Sequence, residues 1–295
     1  MIPKDIIKKI RKIQITTSRM ADSDFAGRYH SVFKGRGMEF HEVREYIPGD
    51  EIRSIDWNVT ARAGHPYVKK FVEERELVVM ILLDVSMSCR FGTCANSKNQ
   101  IAAEISSVLA FSAVKNNDKV GLILFSDKVE KTIPPRKGVK HILRIVREAL
   151  YYQPVSTGTD LNKALMYLNK TLKRKAVVFV ISDFFDRDFK KVLSVSNRHH
   201  DIVAVNIIDP REMEMPNAGI IKLRDSETGL ELTVDTSSER FRSDYRDGCK
   251  NRLEQGKRLF ISAGVDRILI RTDKPYAGEL AEFFRARKRR LSWYG

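Results

Sequence analysis

The chain has 295 residues, 42% hydrophobic and 31% charged, which suits one large or two modest globular domains and excludes a disordered chain. Its net charge of +15 favours acidic partners (nucleic acid, anionic lipid or an acidic protein surface), although the basic residues are spread along the whole chain, with denser clusters at 8–12 and 285–290. No apolar run approaches the ~18–20 residues that cross a bilayer, the basic N-terminus lacks the apolar core and small-residue cleavage site of a secretory signal, and three cysteines make no disulfide framework, so a cytoplasmic protein with free thiols is expected.

The chain opens with "MIPKDIIKKIRKIQI", a basic amphipathic stretch with Ile6, Ile7, Ile10 and Ile13 on one side. A peripheral contact of 6–13 with an anionic membrane is one reading of it, and docking on the parent domain is the plainer one. Then comes the charge-dense "GRGMEFHEVREYIPGDEIRSIDWNVTARAGHPYVKKFVEER" (35–75). Asp50, Arg53, Asp56 and Arg62 are candidate partner-binding residues there. The competing reading is an ion-paired scaffold with Trp57 and Tyr67 as packing anchors and Gly49 in the turn after Pro48. With no repeat and no low-complexity linker, residues 1–76 are expected to pack on a main domain at 77–295.

From residue 77, apolar runs alternate with helical patterns. The runs are 77–84, 120–127, 176–183, 201–209 and 267–273, short and apolar on both faces, as strands of a buried parallel sheet are. "VEKTIPP" (129–135) reads as a short edge strand after a turn at Asp127. Helices are predicted at 99–116, with Ile101, Ile105, Val108, Leu109 and Ser112 on one face, at 139–151, and at 160–172. A β-hairpin insertion, its turn ending in Gly229, is predicted within about 210–236. The sum is an α/β protein with a doubly wound, mostly parallel sheet and helices on both faces.

Each of the five runs ends in Asp: Asp84, Asp127, Asp183, Asp209 and Asp273. The functional crevice of such a sheet lies outside the carboxyl ends of its strands. A carboxylate there can also be a plain helix cap. Asp84 is followed by Ser86 and Ser88, so one carboxylate and two hydroxyls can turn toward one point. These are hard oxygen donors of the kind Mg²⁺ takes. Thr159, in "STGTDLNKAL" (156–165), and Asp183, in "VFVISDFF" (178–185), can complete the set. The alternative is that all of them merely cap loops. Cys89 and Cys94 resemble half a zinc site, but no second ligand pair follows, so they read as free thiols.

D-x-S-x-S after the first strand, G-T-D-L before a helix and an Asp ending a later strand together resemble the von Willebrand factor A domain. The resemblance implies a metal-ion-dependent adhesion site made by Asp84, Ser86, Ser88, Thr159 and Asp183. It would hold Mg²⁺ (or Mn²⁺), and a carboxylate from a partner protein would complete the metal's shell. The segment 35–76 is similar to the signature of the bacterial family called domain of unknown function 58, which joins it to an A-type domain. That resemblance makes 1–76 a family-specific segment. It also implies a non-enzymatic interaction module working with a MoxR-type AAA+ ATPase in assembly or maturation of other proteins. A haloacid-dehalogenase-type phosphatase also begins with an Asp after its first strand, but it needs a second Asp where this chain has Ser86. No P-loop and no nucleic-acid reader motif is present.

Overall fold

The computed structural model describes residues 32–33, 39–72, 76–186 and 188–293, so the basic stretch 6–13 lies outside the described residues. The chain forms two compact units. Phe33–Leu77 make the smaller, and Val78–Gly295 belong to the larger.

In the smaller unit, β1 (Glu39–Glu45) and β2 (Tyr67–Val72) pair antiparallel, with an irregularity between Phe40 and Glu42. Between them lie a 3₁₀ turn (Ile52–Ser54) and the short helix α1 (Trp57–Ala63). Asp56 caps α1 by accepting hydrogen bonds from the Asn58 and Val59 N–H groups, and Gly64, at φ 79°, ends it in the left-handed region. The expected anchoring role of Trp57 is corrected. Its side chain is 67% exposed, because α1 has only seven residues and buries none of them. Val68 and Phe33 are buried here, and Tyr67 is half-buried.

The larger unit is built on a six-stranded sheet in the order β10-β7-β6-β3-β4-β5. These are β3 (Val78–Asp84), β4 (Lys119–Phe125), β5 (Val129–Arg136), β6 (Val177–Ser182), β7 (Asp201–Ile208) and β10 (Asp266–Arg271). All neighbours run parallel except the edge strand β5, which pairs antiparallel with β4. The chain therefore winds outward from β3 in both directions, and the order reverses beside it. That reversal opens a crevice at the carboxyl ends of β3 and β6. The expected doubly wound α/β fold is the one the chain adopts.

Helices α2 (Lys98–Lys115), α3 (Val139–Tyr151), α4 (Leu161–Thr171), α5 (Lys190–His199), α6 (Glu239–Ala263) and α7 (Tyr276–Trp293) cover the sheet. Met80 and Leu82 of β3 face Leu165 and Leu168 of α4, Leu193 of α5 and Phe260 of α6 in one apolar core. Alternation along the strand turns Val79, Ile81 and Leu83 the other way, toward α2. The sequence predicted a single apolar face for α2, but from Ile101 to Ala113 every residue except Glu104 is buried. Ser106, Ser107 and Ser112 tolerate this because each hydroxyl donates to a carbonyl one turn back, at 2.7 Å. The expected insertion is a hairpin of β8 (Ile220–Arg224) and β9 (Glu231–Asp235) between β7 and α6. Among the described residues no helix is long and apolar enough to cross a membrane.

Candidate functional site

The end of β3 and the end of β6 are neighbours in the sheet, and this brings Asp84 and Asp183 together. Asp84 is buried, and both of its oxygens accept hydrogen bonds. Oδ1 takes the Ser86 N–H at 2.9 Å and Oδ2 takes the Ser182 hydroxyl at 2.6 Å. The loop that follows is strung between two elements. The Val85 N–H donates to the Phe125 carbonyl and the Met87 N–H to the Thr157 carbonyl. Held this way, Ser86 and Ser88 bring their hydroxyl oxygens to 3.1 Å from each other. A carboxylate oxygen of Asp84, one of Asp183 and the Cys89 sulfur all lie within 4.8 Å of one another, a buried group able to hold a metal ion. Burial, and then the charges of Asp84 and Asp183, push the Cys89 thiol well up, so it presents S–H and the usable donors are oxygens.

Sequence reasoning missed the group beside this cup. Lys98, the first residue of α2, is completely buried. Its ammonium donates to Asp183 Oδ2 at 2.8 Å and to Glu212 Oε1. It also lies 5.3 Å from the centre of the Phe185 ring. Burial acts to lower the pKa of Lys98, but the charges of Asp183 and then Glu212 outweigh it and hold the ammonium above its ordinary value. Burial also pushes Glu212 up, despite Lys98. Among the described residues, none gives Asp84 such a cation. Burial, and then repulsion from Asp183, push its carboxyl up to about 6. Lys98 pairs with Asp183 and Glu212, Asp84 stands beside Asp183, and at full ionisation these four groups carry a net charge of −2. Oxygen donors around a charge deficit of two fit a hard divalent cation.

Thr159 stands at the other rim, just before α4, where Asp160 is the N-cap. Its hydroxyl donates to Glu227 Oε1, at the tip of the hairpin, at 2.8 Å. A cavity of about 990 Å³ opens from the cup. Ser88, Thr159 and Asp183 line one side, and the hairpin tip and α6 line the other. Of the five expected cup residues, Ser88, Thr159 and Asp183 line this cavity, whereas Asp84 and Ser86 are buried and do not. Asp209, another strand-ending carboxylate, has a different task. It caps the 3₁₀ turn Pro210–Glu212 and binds the Thr93 and Thr272 hydroxyls and the Thr93 N–H.

In the smaller unit, the candidate partner-binding residues divide. Asp50 accepts from Arg44 at 2.6 Å and from the Ile47 N–H, which fixes its turn, and Asp56 caps α1. Arg53 and Arg62 are exposed, beside the exposed side chains of Ile52 and Trp57 in sequence. Part of the basic cluster at 285–290 is also committed to structure. Arg287 of α7 binds Asp201 and Asp266, and Arg290 binds Asp266.

The family model described as "Protein of unknown function DUF58" matches residues 42–255, and the chain belongs to that family. It is similar to the uncharacterized protein Rv1480 of Mycobacterium tuberculosis, with 27% identity over 285 residues, 95% of this chain and 89% of that one. Among solved structures it is similar to the conserved hypothetical protein BatB from Bacteroides thetaiotaomicron (TM-score 0.44, 16% identity, 72% of this chain and 99% of that one). It is also similar to the SpRpn10 VWA domain (TM-score 0.37, 14% identity, 70% of this chain and 94% of that one).

Proposed function

We propose that the protein is a non-enzymatic, metal-dependent interaction module. Asp84, Ser86, Ser88, Thr159 and Asp183 hold Mg²⁺ (or Mn²⁺), and a Glu or Asp of a partner protein completes the shell. The observation that carries this reading is the charge left over at the cup, where the Lys98 ammonium pairs with Asp183 and Glu212 while the buried Asp84 carboxyl lies beside Asp183. A bound cation would supply one open position for a carboxylate oxygen. The chain's own residues orient the donors: Ser182 and the Ser86 N–H fix the Asp84 carboxylate, and Lys98 fixes Asp183.

The phosphatase reading is weaker. An attacking carboxylate needs a free oxygen and an acid–base partner. Asp84 has both oxygens hydrogen-bonded, and Ser86 stands where the second acid belongs. The partner we propose is a MoxR-type AAA+ ATPase in the cytoplasm, engaged during assembly or maturation of other proteins. A second contact runs through Arg53, Arg62 and the exposed Trp57.

The test is a pull-down from the source cells with wild type and Asp84→Ala, each in Mg²⁺ and in EDTA. A partner retained only by wild type in Mg²⁺ is expected, with the ATPase as the first candidate. Partners indifferent to both chelator and mutation would contradict the reading.

A further inference from the structure

We infer that Glu227, at the tip of the β8–β9 hairpin, is an internal carboxylate that closes the mouth of the cup and competes with any carboxylate from outside. This rests on the metal-dependent reading above and names how that site is regulated.

The sequence places Glu227 in "RDSETG", a polar hairpin tip, where an acidic side chain ordinarily points into water. The structure shows otherwise. From Arg224 to Glu231 every residue is exposed except Glu227. Its carboxylate accepts the Thr159 hydroxyl at 2.8 Å, and its backbone carbonyl accepts the Thr157 hydroxyl at 3.2 Å. One loop thus holds the tip at two points, by side chain and by backbone. Thr159 is also a proposed cup residue.

The tip is built to present this group. Asp225 Oδ1 accepts the Glu227 N–H at 3.1 Å, the Thr228 N–H at 2.7 Å and the Thr228 hydroxyl at 2.8 Å. Gly229, at φ 74°, turns the chain back, and the Asp225 N–H donates to the Leu230 carbonyl. Such a turn loses little entropy when it docks, because its shape is fixed beforehand. Glu227 faces the same cavity as Ser88, Thr159 and Asp183.

The chemistry is that of the expected partner. An outside Glu or Asp must displace an identical group that is tethered in the same chain, at an effective concentration of about millimolar for a short tether. The hairpin therefore sets a threshold that only a partner with further contacts can exceed.

The test uses the full chain and Mn²⁺ alone as the probe. Mn²⁺ is titrated into wild type, Glu227→Gln and Asp84→Ala, followed by electron paramagnetic resonance. Amide exchange across 220–235 is measured with and without the metal. The expected result is saturable binding by wild type, weakened about 10–100-fold in Glu227→Gln, the range seen for groups that support metal ligands. Added acetate should restore binding in Glu227→Gln, and metal-dependent protection of 220–235 should occur in wild type alone. Equal affinity and equal protection in wild type and Glu227→Gln would overturn the inference. The metal reading would then still stand, provided Asp84→Ala abolishes binding. No binding by wild type would overturn both.

Discussion

In the larger unit the side chains of Lys98 and Asp183 are each 1% exposed, whereas in the unit of Phe33–Leu77 Trp57 is 67% and Ile52 68% exposed. The larger unit hides these charges, and the smaller shows these two apolar groups. The reasons are opposite in kind. A buried ion is held against several kcal/mol of lost hydration and persists only if paired. The larger unit keeps four such groups at the end of β3 and β6 with their charges unequal. In the smaller unit Asp50 and Asp56 serve the turns beside them, and what remains for a partner is apolar surface with Arg53 and Arg62. A cation would neutralise the charge left over in the first region; the second is where we propose a second contact with the partner.

The strongest way to break this contrast is Lys98→Met. It leaves Asp183 and Glu212 without their ammonium and should lower the unfolding free energy by about 3–5 kcal/mol in urea titrations, with Mg²⁺ recovering part of the loss. An unchanged midpoint would mean the two carboxylates do not depend on Lys98.

Asp209→Ala provides a control within the same unit, because that carboxylate is fully satisfied by hydrogen bonds. Loss of about 2 kcal/mol is expected. Burial acts to raise the Asp209 pKa, but the Thr93 hydroxyl and N–H, the Arg211 N–H and the Thr272 hydroxyl outweigh it and hold the group below its ordinary value. Its contribution is therefore whole above the unfolded value of about 3.9 and fades as pH falls through the lower folded value. The gap between wild type and variant in thermal melts should narrow only in that acid range, and a gap that narrows near neutral pH would contradict the assignment.

In the smaller unit Asp56→Ala removes the cap of α1 and should cost about 1 kcal/mol, read from amide exchange in α1. Trp57→Ala should change stability by no more than about 0.5 kcal/mol yet weaken partner capture. Large destabilisation by Trp57→Ala would restore the anchoring role its sequence suggested.

The sheet was legible because buried parallel strands are continuous apolar runs, and the ends of the three predicted helices, α2, α3 and α4, fell within a residue or so of their expected places, while α5, α6 and α7 went unpredicted. Asp84 and Asp183 were legible for the same reason, as each ends such a run. Lys98 was not. It follows Ser97 in a capping box and reads as an ordinary solvated first-turn lysine, while its partners lie 85 and 114 residues away. Cys89, which reads as a free thiol and is one, brings its sulfur within 4.8 Å of both aspartates, which the sequence does not signal. Glu227 lacked any signal because only the docking of the hairpin turns it inward. The all-round burial of α2 was hidden by serines that look polar but satisfy themselves within the helix.

The most direct measurement is the anomalous difference map of crystals grown with Mn²⁺. One peak is expected among the oxygens of Asp84, Ser86 and Ser88, absent from Asp84→Ala crystals. No peak there, with Lys98 still bound to Asp183, would contradict the account at its centre.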